Sequence, residues 1–399
     1  MPQVFNDSLF QAQWLRTAGH SSSGGAELAE CLAVARGIRE IDRESWFNAW
    51  YQQAQRVLAA ADDSNRQGRR ISALGAYLRA SNYFRAAYTL MMEAPVDTRL
   101  VDAYRRHAAA FEAAARLLSP AAERIAIPYD NAPLHGYIFR AEGETVARPT
   151  LIITGGYDST AEEAYFFGGA SAVARGYTCI AFDGPGQGAA IIENKLGFRP
   201  DWEAVVRRVV DYAITRPEVD KSKIALLGIS FGGYLAPRAA SGESRLAACI
   251  ADPGEFSLID EIKSRMPPWV ARSLPEGNTV VLALLKFIMQ RRLRHPTEGW
   301  GLRRAMWLHG VASPLDYIKE SAKYNLEGLA QQIRCPTLVC TAENDEIGVT
   351  ARDLYDKLTC AKSFIGFTAE EGADAHCEAG ARSVFNQRAF DWLDTVLNR

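Results

Sequence analysis

The chain changes texture near residue 120. Before that point apolar side chains recur every three or four positions, the spacing of a helix face turned toward a core. Leu28, Leu32 and Ala35 mark one stripe, and Trp46, Phe47, Trp50, Tyr51, Ala54, Val57 and Leu58 mark a broader one. A third runs through Leu74, Tyr77, Leu78, Tyr83, Phe84, Ala87 and Tyr88. Pro95 then interrupts, and an Ala-rich helix is expected over 98–118. Beyond residue 120, short apolar runs alternate with helical stretches. Segments 124–129 and 134–140 read as paired strands around the turn signal Asp130–Asn131. Apolar strands are expected at 150–154, 177–182, 224–229, 247–251, 337–341 and 363–367, with helices at 161–175, 202–215 and 382–397. Continuous apolar strands separated by helices predict an α/β fold, a mostly parallel, doubly wound sheet covered on both faces.

Between Glu255 and Asn325 the alternation lapses. This stretch holds Pro267–Pro268–Trp269, an apolar helix over 280–289 and the basic run Arg291, Arg292, Arg294 and His295, which reads as a solvated face. The expected organisation is an all-helical N-terminal domain over 1–120 and a catalytic body over 121–399, with a helical insertion at about 256–325.

Composition narrows the class. Of 399 residues, 48% are hydrophobic and 23% charged, an ordinary globular balance. A formal net charge of −2 lacks the clustered basic footprint that nucleic-acid binding requires. Seven cysteines without a Cys-x-x-Cys pair fit reduced thiols better than a disulfide framework. The first ten residues lack the basic and apolar regions of a signal peptide. The longest apolar run, 279–289, carries Lys286 and is too short to span a bilayer. A soluble, cytoplasmic protein with no membrane partner is the expectation. Exposed helical layers of this kind often pair, which makes a homodimer one option, and the sequence leaves the oligomeric state open.

The candidate chemistry starts at Gly228–Ile229–Ser230–Phe231–Gly232. A strand enters this motif and a small-residue helix follows, the context of a nucleophile elbow. A serine hydroxyl becomes a nucleophile only when a base takes its proton and an acid orients that base. After Ser230 the remaining histidines are His295, in the basic run, His309, in the insertion, and His376. His376 lies in a loop after the last strand and before the last helix, where the base belongs. The acid should follow strand 337–341, where Glu343, Asp345 and Glu346 cluster. Asp345 is the choice and Glu343 the fallback. The developing oxyanion needs two N–H donors. Phe231 supplies one, and Tyr157, with Gly156 as the second choice, supplies the other from the loop after strand 150–154. The Asp183–Gly184–Pro185–Gly186–Gln187–Gly188 loop lacks the Gly-Lys-Ser/Thr ending of a phosphate loop, and no His/Cys/Asp spacing suits a metal. No cofactor is expected. Trp46, Trp50, Tyr77, Asn82, Tyr83, Arg85 and Tyr88 are candidates to line a pocket for a small-molecule substrate, with core packing as the alternative.

At these motifs the chain resembles the α/β-hydrolase superfamily. They are Thr154–Gly155–Gly156–Tyr157–Asp158–Ser159–Thr160, the Asp183–Gly188 loop, Ser230–Phe231–Gly232–Gly233–Tyr234–Leu235–Ala236–Pro237–Arg238–Ala239–Ala240, Arg245–Leu246–Ala247–Ala248–Cys249–Ile250, and Glu371–Gly372–Ala373 with His376–Cys377. Arg79–Ala80–Ser81–Asn82–Tyr83–Phe84–Arg85–Ala86–Ala87 is similar to the helical-domain signature of one branch. That branch contains 2,6-dihydroxypseudooxynicotine hydrolase, fungal pigment polyketide-shortening hydrolases and proteins labelled dipeptidyl aminopeptidase/acylaminoacyl peptidase. The resemblance implies cleavage of a carbon–carbon bond beside a ketone, or of an ester or thioester, through an acyl-serine. Peptidase and acyltransferase chemistry share the same residues, and a catalytically silent binding module is the reading from another class. The resemblance also implies an extra acid near the insertion, for which Glu255, Asp260 and Glu261 are the candidates. Two departures stand out: the insertion after Glu255 is long, and Phe231 stands where Leu or Tyr is more usual.

Overall fold

The computed structural model describes residues 3–130, 132–143, 146–275, 277 and 279–398. Its N-terminal part consists of helices Ser8–Gly19, Leu28–Ala35, Arg43–Arg66, Arg70–Thr89 and Thr98–Leu117. Three begin at an aspartate whose carboxylate accepts orphan N–H groups: Asp7 from Phe10, Asp42 from Glu44 and Ser45, and Asp97 from Arg99. The wide aromatic stripes do face inward, and Trp46, Trp50, Tyr83 and Tyr88 are fully buried. The first stripe does not. Leu28 and Leu32 are exposed, and Cys31 and Val34 on the adjacent face make the contact instead. The apolar core runs without a break from these helices into the sheet.

The sheet contains β1 (Glu123–Ile127), β2 (Leu134–Phe139), β3 (Arg148–Thr154), β4 (Thr178–Phe182), β5 (Val219–Ile229), β6 (Ala248–Asp252), β7 (Thr337–Ala342) and β8 (Lys362–Phe367). Their spatial order is β1-β2-β4-β3-β5-β6-β7-β8. β2 runs antiparallel to β1 and β4, and every other pairing is parallel. Asn131, the second residue of the expected β1–β2 turn, lies outside the described residues. The register aligns the carboxyl ends: Thr154 faces Gly228, Ile229 faces Asp252 and Ala342 faces Phe367. Residues that follow these strands therefore collect along one edge, where open parallel sheets place their sites.

One element departs from expectation. The helix expected over 161–175 is interrupted by a π segment at Tyr165–Gly169. A π turn releases a carbonyl from the regular ladder, and Phe167 O is taken by the Arg382 guanidinium at 3.0 and 3.2 Å. Between β6 and β7 the chain forms helices Leu258–Ser264, Pro268–Ala271, Thr279–Arg292, Trp300–Leu308 and Pro314–Ser321. The apolar Thr279–Arg292 helix buries Leu285 in a small satellite core with Ile259, Val270, Leu274 and Ile318. Leu284, Phe287 and Ile288 face solvent, and so do Arg291, Arg292 and Arg294.

Candidate active site

β5 ends in a turn that only small residues can make. A Cβ on Gly228 would lie 1.9 Å from Gly232 O, and one on Gly233 would lie 1.7 Å from Pro253 O. Between them Ser230 sits at φ +60°, a strained conformation for a side chain with a Cβ. Two backbone hydrogen bonds hold it there, Ser230 N–H to Asp252 O and Gly233 N–H to Ser230 O, both 2.7 Å. Helix Gly232–Gly242 then begins directly behind the serine.

His376 follows β8 in a short 3₁₀ turn. Its Nδ1 lies 2.7 Å from Asp345 Oδ2 and its Nε2 lies 2.9 Å from Ser230 Oγ. With Nδ1–H donated to Asp345, Nε2 is left to accept the serine proton. Asp345 Oδ1 accepts Ile347 N–H at 2.9 Å, which fixes the carboxylate plane. Burial lowers the His376 pKa, but the facing Asp345 carboxylate outweighs it and holds the imidazole above its ordinary value. Glu343, the fallback acid, is exposed and accepts Ala369 N–H on the far side of the loop.

The candidate oxyanion donors can be separated by their existing partners. Gly156 N–H already donates to Ser159 Oγ at 2.8 Å. Neither Phe231 N–H nor Tyr157 N–H has an acceptor among the described residues. Gly156 contributes its missing side chain instead, since a Cβ there would lie 2.7 Å from Phe231 N and 2.9 Å from Ser230 Oγ.

Behind the serine and histidine lies a buried ionic cluster that motif reading did not find. Arg382 Nη1 reaches Asp252 Oδ2 at 2.8 Å, Glu378 Oε2 at 3.0 Å and Cys377 O at 2.9 Å. Burial and the facing Asp252 carboxyl push Glu378 well above the carboxylate range. Because Asp252 O holds Ser230 N–H and Cys377 follows His376, one guanidinium ties the nucleophile turn to the base loop. Its sequence signal is faint: an arginine opening the last helix.

The pocket-lining candidates of the helical layer need correcting. Tyr83 is buried, with its hydroxyl donating to Glu30 at 2.7 Å and accepting Glu27 N–H. Arg85 pairs with Glu163 at 3.2 Å and donates to Thr17 and Thr89. Tyr88 packs against Tyr104 and His107. These side chains are buried between helices, as are Trp46 and Trp50, and pack as core, although Tyr88 Oη and Trp50 Nε1 have no partner among the described residues. Glu261 is likewise committed, accepting Thr350 N–H and hydroxyl at 2.9 and 2.7 Å. Glu255 differs. It is 1% exposed, its Oε1 has no partner among the described residues, and burial with nearby Glu261 and Asp345 raises its pKa well above the carboxylate range. Burial thus favours the protonated form of this carboxyl over the ionised one.

Residues of the β6–β7 segment pack against Tyr157 and Asp158, which precede the helix after β3. Tyr157 Oη lies 2.8 Å from His309 Nε2 and 3.0 Å from Tyr317 Oη. Phe198, Phe231 and Tyr324 pack around the same imidazole, and burial lowers its pKa to about 3, so His309 is neutral. Asp158 is gripped by Arg16 at 2.9 Å and Arg304 at 2.8 Å. Burial raises its pKa, but these two guanidiniums outweigh that and hold its carboxyl below the usual range.

Known proteins share this architecture. The model of the alpha/beta hydrolase family matches residues 151–382, and that of the FrsA-like esterases matches residues 31–265. The chain belongs to the α/β-hydrolase family. Hydrolase LUC6 of Fusarium sp is 35% identical over 99% of this chain and 98% of its own length. The 20-hydroxy-prefusarin hydrolase FUS2 of Gibberella moniliformis is also 35% identical, over 99% and 98%. Among solved structures, 2,6-dihydroxy-pseudo-oxynicotine hydrolase superposes with a TM-score of 0.76 at 24% identity, covering 95% of each chain. The resemblance read from the motifs therefore holds for the branch as well as the superfamily, and this α/β-hydrolase is an enzyme. Among the described residues, no helix is long and apolar enough to cross a membrane.

Proposed function

We propose that the protein is a cofactor-free serine hydrolase that cleaves an apolar, aromatic or polyketide-like carbonyl substrate through an acyl-serine. The observation that carries this reading is the relay from Asp345 through His376 to Ser230, at 2.7 and 2.9 Å, beside two N–H groups with no acceptor among the described residues. Ser230 Oγ attacks the carbonyl carbon as its proton passes to His376 Nε2. The oxygen becomes an oxyanion held by Phe231 and Tyr157 N–H. Collapse breaks the bond to the leaving group, which takes the proton from His376. Water, deprotonated by His376, then releases the acid and regenerates Ser230.

In an ester the leaving group is an alkoxide. In carbon–carbon cleavage it is a carbanion, which needs a neighbouring carbonyl to spread its charge as an enolate. Glu255 supports the second course, because a neutral carboxylic acid donates a hydrogen bond to such an oxygen where a carboxylate would repel it. The relative FUS2 is named for 20-hydroxy-prefusarin, which agrees with a small organic substrate. The division at residue 120 into a helical layer and a catalytic body, with the 256–325 insertion over the site, belongs to the same proposal.

A fluorophosphonate probe should label the wild-type enzyme and leave Ser230→Ala unlabelled; equal labelling of both would overturn the serine reading. Turnover of β-diketones, aryl esters and peptide amides by the unlabelled wild-type enzyme then separates the bond classes.

A further inference from the structure

The loop carrying the second oxyanion donor is anchored in two different ways. Gly155, Gly156 and Ser159 are held from within the α/β body: Gln187 Nε2 donates to Gly155 O at 2.6 Å, Ser159 Oγ accepts Gly156 N–H, and Gly188 N–H donates to Ser159 O at 3.1 Å. The two residues between them are held from outside. The Tyr157 hydroxyl meets His309 and Tyr317, and the Asp158 carboxylate meets Arg304, all three from the β6–β7 segment, while Arg16 of helix Ser8–Gly19 completes the grip on Asp158. Arg304 also covers the ring of Tyr157 at 5.6 Å and stacks on Trp300 at 4.0 Å. Phe198 N–H donates to Leu308 O at 2.9 Å, which fastens the end of helix Trp300–Leu308 beside the same aromatic group.

We infer that Arg304, His309, Tyr317 and Arg16 are positioning residues for the oxyanion hole, which set the Tyr157 N–H through the side chains of Tyr157 and Asp158. The β6–β7 segment thus completes the catalytic apparatus as well as covering it. The inference rests on the serine-hydrolase reading. Its physical basis is that an oxyanion donor works only within hydrogen-bond distance of the developing charge, and that a displacement on the order of 1 Å is enough to lose about two decades of rate.

Tyr157→Phe is the test variant because it keeps the ring and the backbone N–H and removes only the tie to His309 and Tyr317. With p-nitrophenyl butyrate as the probe substrate, kcat should fall about 10- to 100-fold while KM moves less than about threefold. Inhibition by an aryl trifluoromethyl ketone, which forms the tetrahedral adduct on the serine, should weaken by the same factor as kcat/KM. Arg304→Met should behave alike and Arg304→Lys should recover part of the loss. Because Tyr157→Phe and His309→Phe cut one link, the double variant should match the worse single one. Kinetics and ketone inhibition within about twofold of wild type in Tyr157→Phe would overturn the inference, as would a rise in KM alone, which marks a pocket wall. Should Arg304→Met fail to fold, Tyr157→Phe carries the test. Failure of the underlying reading looks different: Ser230→Ala would keep its turnover whatever Tyr157→Phe does.

Discussion

The turn that holds Ser230 and the loop that holds Tyr157 face each other across the same few ångströms and are built on opposite principles. At Ser230 the backbone decides. Gly228 and Gly233 admit no side chain, and two main-chain hydrogen bonds fix a serine at φ +60°. At Tyr157 and Asp158 distant side chains decide, since Arg16 comes from 142 residues before the loop and Arg304, His309 and Tyr317 from 146 to 160 residues after it. On the serine-hydrolase reading, the proposed nucleophile is therefore preset by the sheet, whereas the proposed oxyanion donor depends on the surrounding helices being docked.

The contrast is broken most severely at Gly233. A Cβ there would meet Pro253 O at 1.7 Å, backbone against backbone, with no flexible group to move aside. Gly233→Ala should destabilise the fold by about 3 kcal/mol or more and abolish fluorophosphonate labelling. Urea unfolding measures the first effect and labelling the second. A Gly233→Ala protein with wild-type stability and labelling would show that the turn is no more backbone-determined than the loop.

That difference also explains what could be read beforehand. Gly-x-Ser-x-Gly, the order of strands and the loop position of His376 are local patterns, and the structure places Ser230, His376 and Asp345 within hydrogen-bond reach of one another. The clamp on Asp158 joins residues 16, 158 and 304, and no local pattern links them. Helix Ser8–Gly19, which bears Arg16, buries Phe10, Trp14, Thr17 and Ala18 on one face, a stripe that the sequence reading did not single out. The aromatic stripes were legible as helices but not as core or pocket, because burial of a ring is the same signal in both. Arg85 shows the point: a buried arginine reads as a ligand anchor until its partner, Glu163, comes from another part of the fold.

His376 belongs to the serine side of the comparison and gives it a pH signature. Asp345 holds its pKa above the ordinary value of 6.5. The base must be neutral to accept the serine proton, so kcat/KM should fall on the acid side with a midpoint above 6.5, and Asp345→Asn should move that midpoint down as well as lowering the rate. The same shift acts on stability with a defined sign. A raised histidine pKa stabilises the fold below the unfolded value of 6.5, and this contribution fades as pH rises through the folded pKa. An acid limb centred below 6.5 in wild type, from a pH series of kcat/KM, would contradict the Asp345–His376 pairing.

The smallest expected effect lies at Glu255. Its carboxyl is buried without a partner for Oε1, and its folded pKa stands well above 4.5. Between 4.5 and that folded value the native state binds a proton that the unfolded chain has released, so stability declines as pH rises through this window. Glu255→Gln keeps the shape and the donor of the neutral acid and removes the titration. It should flatten the fall in melting temperature between pH 5 and 8 and raise it by about 1–3 °C at pH 8, while leaving the decline due to His376 in place. If the pH slope of Glu255→Gln matches wild type, Glu255 is ionised and paired in solution, and the neutral-acid role assigned to it beside the oxyanion loop is lost.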